Sequence, residues 1–113
     1  VPAHCKLMKP ASERFKLVLN SINMQEPRCS VIQNVDAVAT KNVVKISENL
    51  ISQIYSPVKW TDIMDFINEL TLRRCIECGP GKVLSGLMKR ALKDTQIVSL
   101  DNYDSFLDKE NLL

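Results

Sequence analysis

The chain has 113 residues, 45% of them hydrophobic and 25% charged, with a formal net charge of +2. That is the length of about one domain with ordinary globular composition, which excludes the disordered and fibrous classes. So small a charge, with no Lys/Arg block and no basic stretch interleaved with aromatics, argues against nucleic acid as a partner. No apolar run approaches the ~20 residues of a membrane helix, and no cleavable export signal is visible. The four cysteines, Cys5, Cys29, Cys75 and Cys78, are too sparse for a secreted disulfide scaffold. Reduced thiols and a cytoplasmic setting are expected.

Read in chain order, Leu7, Ala11, Phe15, Val18 and Ile22 recur at spacings of three and four. They predict one face of a first helix, with Pro10 tolerated in its opening turn. A loop follows at Pro27, then Cys29 to Val35 reads as a short strand bounded by Asn34 and Asp36. Val43, Ile46, Leu50 and Ile54 give a second helical face. Pro57 stops it, because the residue before a proline is pushed out of the helical region. Trp60, Ile63, Met64, Ile67 and Leu70 predict a third helix. Arg73 to Cys78 is a strand, closed by Gly79-Pro80-Gly81. Val83, Leu84, Leu87, Met88 and Leu92 predict a fourth helix, and Gln96 to Leu100 a last strand. Asp101 is expected to cap a short terminal helix through Phe106. This alternation predicts α/β architecture, with layered helices on a short, mainly parallel sheet. No repeat and no internal domain boundary is read, so residues 1–113 are taken as one piece.

His4 is the only histidine, and imidazole is the usual proton shuttle near neutral pH. It lies four residues from a start that is Val, not Met. A base so near a chain end reads as part of something larger, its partners upstream. It precedes a well-patterned helix, whose positive end disfavours an imidazolium and leaves the neutral ring a general base requires. Cys75 and Cys78 form a Cys-x-x-Cys pair, but on a strand residues three apart point to opposite faces. Cys5, Cys29 and His4 supply no second paired spacing, so no metal site is read. Gly79-Pro80-Gly81-Lys82 fails the phosphate-loop pattern, with Ile76 where a glycine is needed and Val83 where Ser or Thr is. A structural turn is favoured there over an anion site. Cys5 reads as a small packed side chain. Lys6, Lys9, Lys89 and Arg90 read as solvated, or as a landing surface for an acidic partner.

Longer matches carry a resemblance. They are Val1-Pro2-Ala3-His4-Cys5 followed by Leu7-Met8-Lys9-Pro10-Ala11, then Gln33-Asn34-Val35-Asp36, then Gln53-Ile54-Tyr55-Ser56-Pro57-Val58-Lys59-Trp60. The densest runs from Glu77 to Leu87. Together these resemble the C-terminal portion of bacterial malonyl-CoA:acyl-carrier-protein transacylases, fading after Arg90. The resemblance implies the C-terminal part of an α/β-hydrolase-like acyltransferase large subdomain. It implies no cofactor, and it implies malonyl-CoA and acyl carrier protein as substrates in fatty acid biosynthesis. In the family a serine takes malonyl from coenzyme A, and a histidine shuttles its proton. The group then passes to the carrier's phosphopantetheine thiol. The resemblance assigns His4 the base role and the main-chain carbonyl of Gln53 the role of orienting it, in place of a triad carboxylate.

Three expected features are absent. None of the serines at 12, 21, 30, 47, 52, 56, 85, 99 and 105 lies in a Gly-x-Ser-x-Gly setting. The family's malonyl-pairing arginine and its ferredoxin-like subdomain precede the histidine. The isolated chain is therefore expected to be inactive, with a separate Ser-bearing N-terminal piece as a possible complement. The alternatives are an inactive fragment and a non-catalytic module that binds acyl carrier protein. A fragment also predicts that the first helix and the Arg73 to Cys78 strand are more exposed than their apolar character warrants.

Overall fold

The computed structural model describes residues 3–107; Val1 and Pro2, where the resemblance begins, lie outside them. The chain forms two compact units, Val1–Ile63 and Met64–Leu113.

In the first unit a single 3₁₀ turn, Lys6–Met8, leads into helix α1, Lys9–Leu19. Pro10 sits at its start, where an absent N–H costs nothing. The buried residues of α1 are Ser12 and Leu19, two turns apart, with Phe15 half-buried between them. This differs from the predicted face: Leu7, Val18 and Ile22 are exposed, and Leu17 stands 74% exposed. Strand β1 is Val31–Ile32 and pairs antiparallel with β2, Ala39–Thr40, in register Val31↔Thr40. The strand read over Cys29 to Val35 is cut short because the backbone turns at once. Gln33 O accepts from Ala37 N–H, and the Asp36 carboxylate accepts from Val38 N–H. Helix α2, Val43–Ser52, is capped by Asn42, whose side-chain oxygen accepts from Lys45 N–H at 3.0 Å. Ile46 and Asn49 are its buried residues, and α1 packs against it.

Helix α3, Trp60–Glu69, contains the division between the units, with Met64 buried. The second unit is a βαβ turn of chain. Strand β3, Arg74–Cys78, pairs parallel with β4, Gln96–Leu100, over five residues from Arg74↔Gln96 to Cys78↔Leu100. Parallel neighbours need a crossover, which is helix α4, Val83–Ala91, packed on both strands. Met88, Leu92 and Val98 form the core there. The buried face of α4 is Ser85 and Met88, continued by Leu92, while Val83, Leu84 and Leu87 are exposed. A short helix α5, Tyr103–Leu107, packs on β4. Asp101 does not adjoin it. Asn102 is the residue before Tyr103, and the Asp101 carboxylate pairs instead with Lys82 Nζ at 3.4 Å. The result is an α/β fold, helices on a short parallel pair, with a small antiparallel hairpin added in the first unit.

Candidate active site

His4 is held at two points by consecutive carbonyls at the end of α2. Its ring Nδ1 lies 2.7 Å from Gln53 O, and its backbone N–H donates to Ile54 O at 3.2 Å. The backbone of His4 takes a φ of 56°, the left-handed region that histidine visits more readily than most side chains. A carbonyl oxygen only accepts, so Nδ1 carries the hydrogen in this contact. In a neutral ring that leaves the lone pair on Nε2. The 3₁₀ turn separates His4 from α1, so the ring's partner is the C-terminal end of α2 rather than the start of the helix that follows it. The acceptor is available for a structural reason: the last carbonyls of a helix lack intrahelical donors. Gln53 is the C-terminal cap of α2, its own N–H spent on Asn49 O at 2.9 Å.

Whatever fixes α2 therefore fixes the carbonyl that holds His4. The turn between β1 and β2 does this in the middle of the helix, at Lys45, Ile46 and Asn49. Gln33 Nε2 donates to Ile46 O at 3.1 Å, and Asn49 Nδ2 donates to Asp36 Oδ2 at 2.7 Å. Lys45 Nζ pairs with the same Asp36 oxygen at 3.3 Å. Beyond the helix, Lys59 N–H donates to Asn34 O at 2.7 Å. Burial works against charge on Asp36. The hydrogen bonds from Asn49, the Val38 N–H and Lys45 outweigh it and hold the carboxyl below its ordinary range. The Gln33-Asn34-Val35-Asp36 segment thus bolts down the helix that presents Gln53.

His4 lines an open cleft of about 670 Å³ with Cys5, Lys6, Lys9, Tyr55, Ser56 and Pro57. None of the four cysteines is in a disulfide. Cys75 and Cys78 lie on β3, and burial pushes the Cys75 thiol up. No group of three or more ligating side chains that could hold a metal occurs among the described residues.

One residue was not singled out from the sequence. Glu77 on β3 is buried, and its carboxylate turns onto the start of α4. Oε1 accepts from Leu84 N–H at 3.0 Å, while Oε2 accepts from Ser85 N–H at 2.8 Å and from the Ser85 hydroxyl. The Ser85 hydroxyl bond, against the cost of burial, holds the Glu77 carboxyl below its usual range, helped by the two N–H groups. Lys82, at the cap position, makes no side-chain capping bond; Glu77 caps the helix from the neighbouring strand. This decides between the two readings of Gly79-Pro80-Gly81-Lys82. Gly79 and Gly81 have φ of 148° and 87°, as a tight turn requires. Two of the N–H groups an anion would use, those of Leu84 and Ser85, are occupied by the chain's own carboxylate. The available signal was an acid set just before a glycine turn and a serine inside the helix that follows.

No family model matches the chain. It is 41% identical over 113 residues to the malonyl CoA-acyl carrier protein transacylase of Haemophilus influenzae, covering all of this chain and 36% of that protein. It is similar to the solved acyl carrier protein S-malonyltransferase of Vibrio cholerae, with a TM-score of 0.86 and 42% identity over 94% of this chain and 35% of that one. A malonyl-transacylase solved in complex with a type II PKS acyl-carrier protein gives a TM-score of 0.86 at 36% identity, over 95% of this chain and 35% of that one. The chain spans about a third of the length of the curated relatives it matches, and it corresponds to their C-terminal part.

Proposed function

Because this chain is, in sequence and in fold, a counterpart of the C-terminal part of the malonyl-CoA–acyl carrier protein transacylases, we propose that it supplies the general base of such an acyl transfer. The observation that carries the reading is the bond between His4 Nδ1 and Gln53 O, at 2.7 Å. It selects the tautomer with Nε2 free to accept a proton. In the proposed cycle a serine that lies outside these 113 residues attacks the malonyl thioester while Nε2 takes its proton. The imidazolium then returns that proton to the leaving coenzyme A thiol. The phosphopantetheine thiol of acyl carrier protein attacks the malonyl-serine ester, giving its proton to Nε2, which passes it back to the serine oxygen. Throughout, Nδ1–H stays on the Gln53 carbonyl, which does the orienting work of a triad carboxylate without adding a full charge.

The 113 residues contain no Gly-x-Ser-x-Gly nucleophile, so alone they transfer nothing in this reading. The setting is the cytoplasm, where both substrates would be met. The test is reconstitution. Mixing the chain with a Ser-bearing N-terminal piece of a relative is expected to restore malonyl transfer to acyl carrier protein, and His4→Ala is expected to lower that rate by about 10²–10⁴-fold. A malonyl adduct on the isolated chain, or full transfer with His4→Ala, overturns the proposal.

A further inference from the structure

The Gln53 carbonyl would ordinarily be claimed by the N–H four residues on, closing one more turn of α2. The residue four positions on is Pro57, which has no N–H to give. The ring of Pro57 also pushes Ser56 out of helical backbone, so the helix cannot extend to compete. The chain there agrees with this. α2 ends at Ser52, Gln53–Tyr55 form a turn, and residues 57–59 carry no helical structure. Tyr55 N–H closes back on Ser52 O at 3.2 Å. His4 Nδ1 is the hydrogen-bond partner found at Gln53 O.

We infer that Pro57 is a positioning residue for His4: by withholding a backbone donor, it reserves the Gln53 carbonyl for the imidazole. The inference rests on the proposed base role for its kinetic consequence, but not for its structural one. It differs from a packing role for Pro57, which also lines the cleft beside His4. A packing role depends on the ring's shape; the reserving role depends on the absent hydrogen.

Two substitutions separate these. Pro57→Ala restores an N–H and removes the ring. Pro57→N-methylalanine removes the ring and leaves the nitrogen without a hydrogen. The second is accessible by ligating the chain at its own Cys29 and Cys75. The first readout is the ¹⁵N spectrum of the His4 ring in the 113-residue chain. Pro57→Ala is expected to shift the ring from a single Nδ1–H tautomer to a mixture, and Pro57→N-methylalanine to keep the original signature. The second readout is transfer in the reconstituted assembly. Pro57→Ala is expected to lower kcat at least about tenfold with KM little changed, as loss of the correct tautomer does elsewhere, and Pro57→N-methylalanine to recover most of it. If both variants keep the tautomer, or both lose it, the hydrogen is irrelevant and the inference falls. A tautomer change without any change in kcat would leave the inference standing and sink the base role of His4 instead.

Discussion

Single residues here act by placing one polar atom, and Glu77 is the clearest case. Its carboxyl is held below the ordinary 4.5 by the Ser85 hydroxyl, against burial, and by the Ser85 and Leu84 N–H groups. A group whose folded value is depressed adds stability above its unfolded value and loses it as pH falls through the folded one. Denaturant titrations between pH 7 and 3 should therefore show stability falling from about 4.5 downward. Glu77→Gln should lower the midpoint at pH 7 and flatten that acid decline. Asp36 acts with the same sign from its ordinary 3.8, so some acid dependence should survive the Glu77 substitution. Gly81 makes a different kind of residue-scale prediction. A Cβ there would meet nothing within 4 Å, so any cost of Gly81→Ala is backbone strain at a φ of 87°. That cost is expected to be about 1–3 kcal/mol, read by thermal or chemical denaturation.

At the scale of elements, α2 is what the first unit is built to hold. Asn49 is its buried polar contact, donating to Asp36 at 2.7 Å. Asn49→Leu should cost about 1–3 kcal/mol, because it removes a hydrogen bond to the half-buried Asp36 carboxylate, which keeps Lys45 as its remaining side-chain partner. It should also broaden the His4 ring signals, since the carbonyl that holds them rides on the same helix. The elements themselves were unevenly legible. β4 is legible to the residue because Ile97, Val98 and Leu100 form a short apolar cluster between Asp94 and Asp101, the residues that bound a strand. β2 leaves no mark on the sequence, because two residues, Ala39 and Thr40, carry no period at all. The stripe on α1 was real, but periodicity only says that one face is apolar. It does not say that the partner covering that face lies on the same chain, and Leu7, Val18 and Ile22 are exposed. Glu77 was illegible for the opposite reason. A charged side chain faces inward beside an exposed Ile76 because donors eight residues later turn toward it. His4 and Gln53 were paired only through a family resemblance; 49 residues separate them, and no local pattern spans that gap.

Over the whole molecule, each unit keeps large apolar side chains at its surface. Leu7 and Leu17 are 77% and 74% exposed in the first, and Val83 is 74% exposed in the second. Apolar area left in water in this way is open to a hydrophobic probe. The chain should bind a hydrophobic dye, and adding the Ser-bearing piece should quench that signal in step with the return of transfer. Dye binding that persists in a fully active assembly would separate the two events and count against a common interface. The held histidine carries one last consequence. Its anchor is a peptide oxygen at Gln53, which every one of the twenty amino acids would supply equally. Gln53→Ala should leave the ring's tautomer unchanged. Side-chain changes at position 53 other than proline, which would lose the N–H bonded to Asn49 O, would leave the anchor untouched, and it would show itself to chemistry that edits the peptide linkage, such as an ester placed after residue 53.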